Sequence, residues 1–293
     1  MERREFLTKS CVAGVTAASG GVLLAQGSAP EVRQQPGESD TAYRARMDQF
    51  RKQRATMSAA SRIGSYYELR RYEIETEVQK AGFDKFAGAA ALPALNRLGI
   101  GPVGVFYPND GLSPIYVLLP HASLTSFVAL EEMLSEDAEF LEKGADFLNA
   151  PADQPAYKSF EVQLMAAFEG MPKLARPTEA PARIFQLRTY ESPSEKAALK
   201  KIEMFNTAEM AIFRKVGLHA VFFGRTLAGN QMPNLTYMLA FDDLAESKAN
   251  WKKFGADPDW QKLRAIPEYM DKEIIRKGGI TNLYLKPASY SQI

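Results

Sequence analysis

The chain has 293 residues, 46% of them hydrophobic, and 36 Lys and Arg stand against 35 Asp and Glu for a formal net charge of +1. A balance so close to neutral, with no strongly basic face or nucleic-acid motif, argues against a nucleic-acid partner. The single cysteine, Cys11, lies in the N-terminal apolar run, so the rest of the chain has no thiol for a disulfide, a nucleophile or a sulfur-bound metal.

The first residues, Met1-Glu2-Arg3-Arg4-Glu5-Phe6-Leu7, precede an uncharged small and apolar run from Cys11 to Ala25. Paired arginines followed by Phe6 and Leu7 resemble the twin-arginine export signal, and the run is shorter than the ~20 residues of a bilayer span. Residues 1–29 are therefore expected to be a leader, cleaved near Ala25-Gln26-Gly27 or after Ala29, which places the protein in the periplasm or outside the cell without a stable membrane span. An ordinary secretory leader or a short buried helix is the competing reading. Residues 30–64 read as a polar linker with one amphipathic helix, where Tyr43, Met47 and Phe50 form a thin stripe among Arg44, Arg46, Arg51, Lys52 and Arg54. That helix is expected to be solvated and packed against the first of the modules that follow it, with a partner-docking or anionic-surface role as the alternative.

From residue 65 the chain repeats itself. Tyr67-Glu68-Leu69-Arg70-Arg71-Tyr72-Glu73 aligns with Phe185-Gln186-Leu187-Arg188-Thr189-Tyr190-Glu191 at an offset of 118, and Leu95, Gly99 and Val103 fall on Phe213, Gly217 and Val221 at the same offset. Tyr116 matches Tyr237, and Asp137-Ala138-Glu139-Phe140 matches Asp257-Pro258-Asp259-Trp260, with a drift that loop insertions explain. Within each copy, alternation marks a strand over 66–74 and 183–191. Helical spacing follows: Phe83, Phe86, Ala90, Leu95 and Leu98 behind a Thr76/Gln79 box, then Ala198, Ile202, Phe205, Ile212 and Val216 behind the box Ser192-Pro193-Ser194-Glu195. Pro93 is expected to kink the first of these helices. Strands are expected near 101–107, 115–119, 219–225 and 235–241, helices from 123 and 243, and closing strands near 158–168 and 280–286.

The order β-α-β-β-α-β, twice, is that of a ferredoxin-like split βαβ unit. The fold class is thus α+β: two tandem modules, 65–170 and 183–293 joined by a linker at 171–182, pair as an intrachain pseudo-dimer forming an α/β barrel with a lumen between the sheets. These motifs resemble the NIPSNAP family of the dimeric α/β-barrel superfamily. The resemblance rests on the Tyr/Phe-x-Leu-Arg-x-Tyr-Glu strand and on Asp257-Pro258-Asp259-Trp260, and covers residues 65–290. It implies no catalytic residues, since the family's pattern carries none that can be placed here, and the wider superfamily includes cofactor-free monooxygenases, haem enzymes, isomerases and plain ligand binders.

Alternation places Tyr67, Leu69, Phe185 and Leu187 on one face, expected beneath the helices. It places Glu68, Arg70, Tyr72, Gln186, Arg188 and Tyr190 on the other, expected to face the lumen. Arg70, Tyr72, Arg188 and Tyr190 then become candidate ligands for an anionic or enolic molecule. Alternatively, the two arginines pair with Glu68, Glu73 or Glu191 and fasten the modules together. His121 and His219 are the only histidines, hence the only neutral-pH general bases or haem ligands. His219, after the Gly217 cap, is a candidate at a cavity mouth, although a structural or surface role is the simpler reading of both.

Three other motifs have simpler explanations. Asp257 to Trp260 reads as a helix cap with proline at the first helical position. Gly99-Ile100-Gly101-Pro102-Val103-Gly104 matches Gly-x-Gly-x-x-Gly but runs from helix to strand, the reverse of a dinucleotide site. No histidine or carboxylate spacing suggests a metal, and no residue names a cofactor. The leading expectation is an exported small-molecule binder. The alternatives are a cofactor-independent or haem-dependent oxygenase of the same superfamily and a non-catalytic interaction module; further homo-oligomerisation is open to all three.

Overall fold

The computed structural model describes residues 38–56 and 64–293. The leader, its cleavage point and the rest of the linker lie outside these residues.

Helix α1 spans Asp40–Thr56. It is followed by β1 (Tyr66–Glu73), α2 (Glu77–Phe86), α3 (Leu92–Arg97), β2 (Gly104–Pro108) and β3 (Ile115–His121). Four short helices, α4 (Leu124–Val128), α5 (Leu130–Ser135), α6 (Ala138–Lys143) and α7 (Ala145–Leu148), lead to β4 (Ser159–Ala167). The second half repeats the order with β5 (Ile184–Glu191), α8 (Glu195–Met204), α9 (Met210–Val216), β6 (His219–Ala228) and β7 (Asn234–Phe241). It ends with α10 (Leu244–Ala256), α11 (Pro258–Arg264), α12 (Asp271–Ile274) and β8 (Ile280–Pro287). The eight strands close into one antiparallel barrel in the order β4-β1-β3-β2-β8-β5-β7-β6, with β6 returning to β4. The half-barrel order β4-β1-β3-β2 is repeated by β8-β5-β7-β6.

Local chemistry explains the helix starts. Thr76 caps α2 by accepting the Gln79 N–H at 3.1 Å. In the second half the cap is Ser194, which accepts from the Ala197 N–H at 3.2 Å. The expected box beginning at Ser192 is therefore displaced by two residues, and Ser192 instead donates its hydroxyl to the Ile274 carbonyl at 2.7 Å. Both long helices contain one π-helical turn, at Ala87–Ala91 and at Phe205–Glu209, again 118 residues apart. Pro93 lies in the first turn of α3, just past that widened turn, so its missing N–H breaks no ladder there. Gly217, at φ +84°, ends α9 in the left-handed conformation that favours glycine.

Strand alternation produces two faces, and the structure assigns them opposite to expectation. Tyr67, Leu69, Phe106, Tyr116, Leu118, Met165, Phe185, Leu187, Phe222, Met238 and Leu285 form one cluster fed by all eight strands. That cluster is the barrel interior. Rings from the two halves meet in it, Tyr67 with Phe222 at 5.1 Å and Phe106 with Phe185 at 4.8 Å between centroids. At one end of the barrel polar groups bond to one another: Gln163 Nε2 donates to Thr226 Oγ1 at 2.6 Å and Thr236 Oγ1 at 3.0 Å. Tyr72 instead packs with Phe83, Leu92 and Leu95 of the first-half helices, and Tyr190 packs with Phe205 and Phe213 of the second. The lumen is filled by large side chains, and the face carrying the arginines lies under the helices. Helix α1 packs through Tyr43 and Met47 on Ile266 of the second half, not on the first as expected.

Candidate functional site

The two sheet-to-helix layers start from the same strand motif and diverge in charge. In the first half, Arg70 Nε donates to Glu68 Oε1 at 2.5 Å, while Glu68 Oε2 is 3.0 Å from His121 Nε2. His121 Nδ1 is 3.1 Å from Ser126 Oγ on α4. Glu68 and His121 are each 1% exposed. Burial by itself would raise the Glu68 carboxyl, but the His121 hydrogen bond and the Arg70 guanidinium outweigh it and hold the group below the usual carboxylate value. An ionised Glu68 accepts a hydrogen bond from His121 Nε2, and the Nδ1 side of the ring is engaged by the Ser126 hydroxyl. Sequence reading gave His121 no partner, because Glu68 and Ser126 approach it from another strand and another helix.

The second half has Gln186 where Glu68 stands in the first, so the equivalent carboxylate is gone. Gln186 Oε1 accepts the Trp251 indole N–H at 2.6 Å, and its amide donates to Asn282 Oδ1 at 2.8 Å and the Tyr284 hydroxyl at 3.3 Å. Tyr284 in turn meets Ser247 Oγ at 3.0 Å. Bonded in this way, Gln186 does not engage Arg188, which instead interacts with the Tyr190 hydroxyl. The Arg188 guanidinium carbon lies 4.5 Å from the Trp251 ring centre and 5.4 Å from that of Tyr190. Its Nε is buried and donates to nothing. Among the described residues no carboxylate forms an ion pair with Arg188.

Beside it lies a buried polar cluster. The Tyr190 and Tyr237 hydroxyls are 3.0 Å apart. Glu209, in the π-helical turn of the second half, pairs with Lys201 at 2.8 Å, both side chains 2% exposed. Burial pushes the Glu209 carboxyl up against the opposing pull of the Lys201 ammonium, and burial pushes the Tyr237 phenol up as well. π-helical turns recur at functional sites, which makes this one a notable neighbour of Arg188.

The expected five-residue lumen site does not assemble. Strands β1 and β5 are separated by β3, β2 and β8 in the barrel, so Arg70 and Tyr72 lie in one layer and Arg188 and Tyr190 in another. His219 is exposed and pairs with Ala240, whose side chain belongs to the interior cluster, so His219 is on the opposite face of the sheet from Arg188. The fastening alternative holds for Arg70 only as a pair with Glu68 inside one half. Glu191 is taken by Arg276 and Glu73 by Arg71. Asp257 caps α11 as expected, accepting from the Asp259 and Trp260 N–H groups at 2.9 and 3.2 Å. Among the described residues no group of three or more His, Cys, Asp or Glu side chains is arranged to hold a metal ion, and no helix is long and apolar enough to cross a membrane.

Comparison with known proteins follows the same division. A candidate monooxygenase from Lactobacillus acidophilus NCFM superimposes with a TM-score of 0.51 at 9% identity, covering 76% of this chain and 94% of its own. An anthrone oxidase-like protein gives 0.50 at 7% identity, covering 77% and 92%. These likenesses are of the barrel fold. A NIPSNAP-like domain protein from Burkholderia xenovorans is 20% identical over 37% of this chain and 88% of its own, with a TM-score of 0.33. No curated protein matches the chain significantly. The NIPSNAP family model matches residues 185–292, the half that holds Arg188. The second half of this chain, residues 185–292, carries a NIPSNAP domain.

Proposed function

We propose that the protein binds a small anionic molecule, a carboxylate, phosphate or enolate, at Arg188 on the helix-side face of the second half-barrel. The observation that carries this reading is the guanidinium lying over the Trp251 ring and near that of Tyr190 with a buried, unbonded Nε, at a position where the first half supplies Glu68 and the second supplies neutral Gln186. A planar cation held by aromatic rings, with donors to spare, is suited to fork-like recognition of an oxyanion. Trp251 adds a flat apolar wall for an attached ring or chain.

We further read the barrel as two tandem βαββαβ modules, residues 65–170 and 183–293, descended from one repeat. The shared offset of 118 at the strand motif, the caps and the π-helical turns supports this, as does the repeated strand order. In this reading the first module keeps a neutralised arginine and serves as scaffold, while the second binds. The leader motif supports export to the periplasm or beyond. The oxidising activities named for the two barrel neighbours are theirs, and at 7 to 9% identity they indicate only a shared fold.

Calorimetric titration of the folded protein with benzoate and with inorganic phosphate tests the proposal. Saturable binding of one of them, abolished by Arg188→Gln and unchanged by the exposed His219→Ala, is the expected result. No heat of binding, or binding unaffected by Arg188→Gln, overturns it.

A further inference from the structure

A second cleft in the second half lies away from Arg188. It lies between α1 on one side and α9 and α11 on the other, with a volume of about 530 Å³, within the ~300–1,000 Å³ of small-molecule sites. Its floor is apolar: Ala208, Ala211, Ile212 and Leu263 are buried, and Ile266 closes one wall. Tyr43 of α1 forms part of the roof.

The rim carries three cations, Arg44, Lys215 and Lys262, against two carboxylates, Asp40 and Asp259. Arg44 from α1 and Lys262 from α11 are exposed at the mouth, and neither has an ion pair among the described residues. The third cation, Lys215, is already bound to Asp257 and Asp259, each at 2.7 Å. Small side chains at 208 and 211 matter here. In the face of a helix that α1 overlies, they leave room where larger residues would have filled the gap between the helices. Among the described residues, α1 meets an apolar cluster of the second half through Tyr43 and Met47 against Ile266, and the cleft lies beside that contact.

We infer that this cleft is a second binding site, separate from Arg188, for an amphipathic carboxylate: an acyl chain or comparable apolar body on the Ala208, Ala211, Ile212 and Leu263 floor, with its carboxylate between Arg44 and Lys262. An apolar floor alone would accept an alcohol or a hydrocarbon equally well; the two unpaired cations at one mouth select the anion. A ligand held this way also ties α1 to the second half, since one of the two cations and part of the roof belong to α1.

The test uses the folded chain containing α1 and a series of octanoate, decanoate and dodecanoate, with decanol as the uncharged comparison. Each added methylene is expected to tighten binding about fourfold, the equivalent of about 0.8 kcal/mol per buried CH2, and decanol to bind at least tenfold more weakly than decanoate. The double variant Arg44→Glu and Lys262→Glu, confined to exposed positions, should weaken decanoate at least tenfold and leave decanol unchanged. Ala211→Phe should abolish both by filling the floor. Arg188→Gln should leave decanoate binding intact, so this site and the Arg188 site fail independently. Affinity insensitive to chain length, or retained in the double-charge variant, overturns the inference. So does loss of decanoate binding in Arg188→Gln, which would place the ligand in the other site.

Discussion

Arg188 and Trp251 lie 4.5 Å apart, cation over ring, in the second half of a barrel whose first half ties the matching Arg70 to the Glu68 carboxylate. One substitution between the repeats, Glu to Gln, separates the two states. Restoring the carboxylate should therefore restore the closed state. Gln186→Glu places an acid two residues along the strand from Arg188 on the same face, and should weaken benzoate or phosphate binding at least tenfold by calorimetry while the barrel still folds. Retained affinity would mean that the free guanidinium is not what the ligand meets.

The filled lumen predicts that interior aromatic side chains are structural. Phe222→Ala removes a fully buried ring that meets Tyr67 across the two halves, and should cost about 3 to 5 kcal/mol. In a chain of this size that is a fall in Tm of about 10 °C, read by circular dichroism. Anion binding at Arg188, on the other face of the sheet, should survive at temperatures where the variant is folded.

The Glu68, His121 and Arg70 cluster makes stability depend on acidity. The Glu68 carboxyl is held below its ordinary 4.5 in the folded state, so its contribution is complete above about pH 4.5 and is lost as pH falls through the lower folded value. Glu68→Gln should lose about 3 kcal/mol at pH 7, because Arg70 is left in a buried setting without its counter-charge. In urea denaturation the gap between wild type and variant should narrow at acid pH. A gap constant from pH 7 to pH 3 would exclude the ionised pair as its source.

Lys201 and Glu209 carry the opposite sign. Burial raises the Glu209 carboxyl above its ordinary 4.5, so protonation favours the folded state and stability falls as pH rises through that window. Lys201→Met strands Glu209 without its ammonium and should lose about 3 kcal/mol at pH 7, with partial recovery on acidification. Thermal melts at pH 7 and pH 5 check both the loss and its direction.

The element order and the barrel were legible because the strand motif, Gly99 and Gly217 keep one offset. That offset also held the correction to the second helix start, since 118 residues beyond Thr76 is Ser194, the observed cap. The faces of β1 and β5 were not legible. Alternation divides Tyr67 and Leu69 from Glu68 and Arg70, but both faces are covered, one by helices and one by the opposite half-barrel, so polarity does not say which is inside. The π-helical turns left no pattern to read, for Ala87–Ala91 and Phe205–Glu209 share no distinctive residues. The difference between Glu68 and Gln186 was visible in the aligned motif; its meaning required Trp251, Asn282 and Tyr284, which reach Gln186 from a helix and a strand far along the chain.

The most direct measurement is a nitrogen-15 NMR titration of the arginine Nε–H groups with benzoate, the Arg188 resonance assigned by its disappearance in Arg188→Gln. The Arg188 Nε–H, buried and unbonded in the free protein, should move progressively and saturate, while that of Arg70, already bonded to Glu68, stays in place. An Arg188 resonance that does not move while benzoate binds, or equal movement at both arginines, would contradict the account.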